Sequence, residues 1–207
     1  MSASCCSRSA PAVDPLFRRA LWIALAVNAF MFVVEVFTGW TSGSVSLLAD
    51  AIDFFGDAAN YALSLAVLAS ALHVRSKAAI AKAACMAAFG VFVLGRAVWA
   101  LRNGAPPQAI TMGAVAVAAL AANLGVAVLL YRHRSGDANM RSVWICSRND
   151  AIGNVAVGLA ALGVFGTGSA WPDLLVATLM AALALAGAAS VLRHARLELR
   201  SGQPTMR

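Results

Sequence analysis

Three aspartates fall close together inside an apolar stretch, 44–64, SVSLLADAIDFFGDAANYALS. They are Asp50, Asp53 and Asp57, and no basic residue accompanies them. A carboxylate at bilayer depth costs about 2.5–3.5 kcal/mol even on the lenient insertion scale. Such a group needs a compensating partner, and none lies in this segment. Asp53 and Asp57 are four residues apart and stack on one helix face. Asp50, three residues before Asp53, shares roughly that face. Acidic groups one turn apart repel each other unless something positive sits between them. A proton or a metal ion is the simplest such thing. A solvated acidic face on a soluble helix is the plain competing reading, which the rest of the chain has to exclude.

A second acidic position lies far along the chain. Asp150 has Cys146 four residues before it and Asn154 four residues after it. These three line one face of a helix. Asn28, Asn60 and Asn123 also fall near the middle of apolar segments. Asp53, Asp57 and Asp150, with Cys146 or Asn154, make a four-ligand set from two helices. Carboxylate oxygen and thiolate sulfur both bind Zn²⁺, usually tetrahedrally. An oxygen-only set suits Mg²⁺ or Mn²⁺ better, and a thiolate tips the choice toward Zn²⁺ or Cd²⁺. Against this, a free cysteine is commonly inert packing, and an intramembrane asparagine commonly bonds a neighbouring helix. Isolated intramembrane acids are rarely only structural.

The elements that must position these residues are helices in a membrane. Of the 207 residues, 61% are hydrophobic and 12% charged. Soluble domains run nearer 25% charged, so the composition excludes a soluble core. Six apolar segments cover about 20 residues or more, enough to cross roughly 30 Å of hydrocarbon. They run over 16–40, 44–72, 78–101, 107–131, 141–166 and 171–192. Barrel strands are shorter and alternate, so an all-α six-transmembrane-helix bundle is expected. Spans two and five run in opposite directions, so their acidic positions can meet at one level.

The net charge of +7 does not indicate nucleic acid, because the basic residues cluster between spans. Arg8, Arg18 and Arg19, then Arg75, Lys77 and Lys82, then Arg132, Arg134 and Arg141, then Arg193, Arg196, Arg200 and Arg207 fall on one side if the spans alternate. The opposite side holds only Arg102. By the positive-inside rule both termini are cytoplasmic. Residues 1–15 read as a flexible cytoplasmic tail, 16–197 as the transmembrane domain and 198–207 as a short tail.

Other polar residues have simpler readings. Glu35 and Arg96 lie at matching depth near the outer ends of spans one and three, and pairing is expected because each alone is costly. Asp173, after Trp171 and Pro172, is expected to cap the start of span six. His73, His133 and His194 fall at cytoplasmic ends. Cys5 and Cys6 are adjacent and do not make a disulfide framework. No HExxH or GxSxG pattern is present, so an enzyme is not expected.

GSVSLLADAIDFFGD at the start of span two and NDAIGNVAV in span five resemble the cation diffusion facilitators, which are divalent-metal/proton antiporters. Asn28, Glu35 and the WPD opening span six are similar to that family too, and the resemblance covers nearly all of residues 16–197. It implies a transport site made from Asp53 and Asp57 with Cys146 and Asp150. Cys146 stands where the family commonly has His or Asp, a departure that leaves Asn154 as a possible substitute. Family members usually carry a cytoplasmic domain after span six. This chain ends instead, so a short member is expected, with any homodimer held by the membrane domain.

The expected function is divalent cation/proton antiport in the cell membrane, with Zn²⁺ (or Cd²⁺ or Co²⁺) as exported cargo rather than cofactor. The alternatives are a membrane scaffold or metal-sensing subunit that does not transport, and a proton-coupled exporter of organic cations. An aromatic-lined cavity would mark the last of these.

Overall fold

A computed structural model describes residues 15–67, 72–131 and 138–201, without the side chains at 67, 72–76, 78, 79, 82, 138–149 and 194–201. The described residues form an all-α bundle: α1 (Pro15–Ser42), α2 (Val45–Val67), α3 (Leu72–Asn103), α4 (Ala109–Tyr131), α5 (Ala138–Thr167) and α6 (Trp171–Ser201). All helices but α2 contain a stretch long and apolar enough to cross a bilayer. At 23 residues α2 has the length, about 34 Å at the helical rise, but it carries three carboxylates.

Two helix boundaries differ most from the sequence reading. α3 begins at Leu72, before the expected apolar span, because the basic stretch that precedes the span continues the same helix. α6 runs through RHARLELRS to Ser201 rather than stopping near Leu192. Arg, Leu, Ala and Glu are good helix formers, so loss of hydropathy does not end the helix.

The exterior is apolar, and the largely apolar interior also holds buried polar groups. Trp22, Phe30, Phe37, Val117, Leu162 and Leu183 are exposed on the outside of the bundle, while Asn28, Glu35, Asp50, Asn123 and Asn154 are buried. Lipid tails are as apolar as leucine, so bundles in lipid close through packing of small residues and through interior polar groups. Gly39 of α1 is one such contact: a Cβ there would lie 3.0 Å from Leu48 Cγ and 3.1 Å from the Leu48 backbone nitrogen in α2. The two helices are joined through Gly43, whose φ of 74° is left-handed backbone that glycine adopts without a Cβ penalty.

The closest helix pairs are α1 with α2, α3 with α6, and α4 with α5. α2 also packs against α3, α5 and α6. The helix with the acidic residues is thus held inside the bundle, with Leu47, Leu48 and Ile52 in its main apolar core beside Val157 of α5 and Ala181 of α6.

Candidate metal centre

Asp53 and Asp57 project from consecutive turns of α2, Asp57 buried and Asp53 half-buried. Asp150, half-buried, projects from α5. Its carboxyl group faces Asp57 closely enough for a direct carboxyl–carboxyl interaction, with Asp53 and Asp50 farther off. Asp53 and Asp150 both line one cavity of about 540 Å³. The other walls are Met86 of α3 and apolar residues of α5 and α6, including Ile152, Val176, Met180 and Leu183. Antiparallel α2 and α5 therefore bring the three acids of the sequence reading to one level. They are drawn near one another rather than tightly clustered. Among the described residues, no group of three or more His, Cys, Asp or Glu side chains stands close enough to hold a metal ion.

The fourth position divides. Cys146 lies on α5, but its side chain is outside the described residues. So are those of Cys5, Cys6, His73, His133 and His194. Asn154 is 1% exposed, and neither its oxygen nor its nitrogen has a hydrogen-bond partner. It opens on a different cavity, of about 880 Å³, between α4 and α5. The interhelical hydrogen bond that sequence reasoning weighed for it is not made.

Tyr61 was not read as part of this site from sequence. Its hydroxyl donates to Asp57 Oδ2 at 2.7 Å. The ring is fully buried against Phe17, Leu21, Val126 and Leu130. The spacing was a usable signal, because Tyr61 is one turn beyond Asp57 on the same face.

The expected Glu35–Arg96 pair is not formed. Both Glu35 carboxylate oxygens lack a hydrogen-bond partner. The Arg96 guanidinium lies instead over the rings of Trp40 at 5.1 Å and Trp99 at 5.0 Å. Indole faces attract a guanidinium through their quadrupole, although Arg96 Nε is buried without a hydrogen-bond partner. Glu35 turns the other way, toward Asp50 of α2. Asp173 also has an unexpected partner. It accepts from Ser44 Oγ at 2.7 Å and from the backbone nitrogens of Val45 at 2.8 Å and Ser46 at 3.0 Å. It caps a helix, but that helix is α2, not its own.

The description "cation efflux transmembrane domain" matches residues 21–200. The chain belongs to the cation efflux family. Its resemblance to cation efflux proteins extends to curated relatives. The Zinc transporter ZitB of Escherichia coli is 31% identical over 202 residues, covering 90% of this chain and 64% of that protein. ZitB of Yersinia pestis is 27% identical over 201 residues, again 90% of this chain and 64% of the relative. The Metal cation efflux system protein CzcD of Cupriavidus metallidurans is 30% identical over 176 residues, covering 78% of this chain and 55% of CzcD. The chain thus spans somewhat less than two thirds of the length of these relatives. Within the cation efflux domain, Asp53, Asp57 and Asp150 all fall inside the matched region, on the two helices that meet at the cavity.

Proposed function

We propose that this multi-pass membrane protein is a carrier that exchanges a divalent transition-metal cation for protons, exporting Zn²⁺ or a similar ion such as Cd²⁺ or Co²⁺ from the cytoplasm across the cell membrane. The observation that carries the reading is the approach of Asp150 to Asp57, with Asp53 and Asp150 opening on one interior cavity. The printed names of the relatives support the cargo class. Asp53, Asp57 and Asp150 are the proposed ligands, completed by Cys146 or Asn154. α2 is the sixth span, both termini are cytoplasmic, and two copies associate through the membrane domain. Nucleic acid is not a partner.

Carboxylates must lose their protons to bind metal, so binding releases protons and its affinity rises with pH. A site holding either protons or metal, open in turn to each side, couples the two flows. Rocking of helices about a midplane site is the usual way such access alternates. Ligation of one ion requires α2 and α5 to draw their acids closer than they stand here, and the same rocking supplies that approach. The cavity wall contains no aromatic residue among those described, so the organic-cation reading lacks its distinguishing feature.

The test is transport by purified protein in proteoliposomes under a pH gradient. Wild type is expected to move Zn²⁺ against protons, and Asp57→Ala to abolish metal-dependent proton movement while remaining folded. Wild-type transport in that variant refutes the site. Comparing Zn²⁺, Cd²⁺, Co²⁺, Mn²⁺ and Fe²⁺ with Cys146→Ser assigns the fourth ligand: loss of only the soft metals gives the sulfur a role.

A further inference from the structure

Glu35 and Asp50 are buried acids that neither the metal centre nor the Asp173 cap of α2 uses. Glu35 is 0% exposed with both oxygens unpartnered, and Asp50 is 1% exposed with Oδ2 unpartnered. Two independent contacts set their alignment. Gly39 lies against Leu48, and the rings of Phe32 and Phe55 are 5.6 Å apart. In this antiparallel register Glu35 stands level with Ile52, between the turns that carry Asp50 and Asp53. Its carboxyl group faces that of Asp50 closely enough for a direct carboxyl–carboxyl interaction, without the geometry of a full hydrogen bond.

Among the described residues, no counter-charge acts on the pair. From α2, Asp50 faces Glu35 directly and Asp53 acts on it at longer range. α4, which also packs on α1, has no acidic or basic side chain, and Asp150 of α5 acts on Asp50 at longer range. Arg96 of α3 is engaged by Trp40 and Trp99. Two ionised carboxylates without a partner in this interior cost several kcal/mol each. Such a pair must carry a bound cation, and two carboxyl groups fully enclosed by protein accommodate a proton most simply.

We propose that Glu35 and Asp50 form a second proton-carrying station, one turn from Asp53 toward the Ser42–Val45 end of α2, where exchanged protons are held while metal occupies the central acids. This rests on the proton-coupled exchange proposed above. It assigns coupling to a place distinct from metal ligation. Glu35 and Asp50 are then positioning and proton-holding groups, not metal ligands.

The experiment compares two modes of transport in proteoliposomes: Zn²⁺ uptake driven by a pH gradient, and Zn²⁺/Cd²⁺ counterflow without one. For Glu35→Gln and Asp50→Asn, pH-driven uptake should fall about tenfold or more while counterflow changes by less than about threefold. Glu35→Asp, which keeps the acid, should restore part of the pH-driven flux. Equilibrium binding of Cd²⁺ should keep its wild-type stoichiometry in both neutral variants. pH-driven uptake at the wild-type level in Glu35→Gln and Asp50→Asn overturns the proposal, and so does equal loss of both modes in variants that remain monodisperse. A drop from two bound Cd²⁺ to one per chain overturns it too, making the pair a metal site. Wild type without counterflow instead refutes the metal-exchange reading itself.

Discussion

The Tyr61–Asp57 contact shows how single side chains tune the candidate site. A phenol donating at 2.7 Å to a buried carboxylate is a hydrogen bond to a charged group whenever Asp57 is ionised. Such bonds contribute about 1.5–3 kcal/mol. Tyr61→Phe keeps the ring packed against Phe17 and Leu130 and removes only the donor. It should weaken Zn²⁺ binding by about tenfold if the bond orients Asp57 for the metal, a change worth about 1.4 kcal/mol. Titration calorimetry on the detergent-solubilised protein measures this, and unchanged affinity would mean that the tyrosine only fills space. The acids themselves were legible in the sequence because a carboxylate in an apolar run is costly wherever it points. The partner of Glu35 was not legible. Depth along a helix follows from counting residues, but direction around the axis depends on how helices pack. Glu35 and Arg96 match in depth and face different neighbours.

Asp173 fastens two helices together. The first turn of any helix leaves backbone N–H groups without intrahelical partners. In α2 two of these, on Val45 and Ser46, are taken by a carboxylate from the start of α6. Ser44 Oγ donates to the same carboxylate and accepts from the Leu47 nitrogen at 3.2 Å. Asp173 is 1% exposed, so its loss strands these donors away from water. Asp173→Ala should therefore lower stability by about 2 kcal/mol, near the upper range for a lost cap. Asp173→Asn, which retains one acceptor oxygen, should cost less. Thermal unfolding in detergent distinguishes them, and equal melting temperatures for wild type and Asp173→Ala would exclude the clasp. WPD was readable as a helix start through its proline and acid. That the acid serves α2 depends on contact between segments far apart in the chain.

The bundle as a whole differs from a soluble protein in its apolar outer surface, with asparagines and acids buried among the apolar core. The proposed orientation makes a prediction at this level. In a variant with all cysteines replaced, Ala105→Cys should react with a membrane-impermeant maleimide from outside intact cells. Gln203→Cys should react only after permeabilisation. The reverse pattern would overturn the cytoplasmic placement of the termini and with it the direction of export. Six apolar segments were evident in the sequence, and five of them are helices long and apolar enough to cross a membrane. α2 is the exception because its three carboxylates, the feature most informative about function, also weaken its apolar signal.

Sequence alone determined the helical membrane class, the acidic positions and the helices that carry them, since each follows from local spacing and from the cost of charge in lipid. The tertiary structure decided which polar groups meet. It brought Asp150 to Asp57, turned Glu35 to Asp50, gave Arg96 to two tryptophans and set Asp173 on the end of α2. Those pairings depend on the rotation and register of packed helices, which are set jointly by contacts such as Gly39 against Leu48. No one segment contains them.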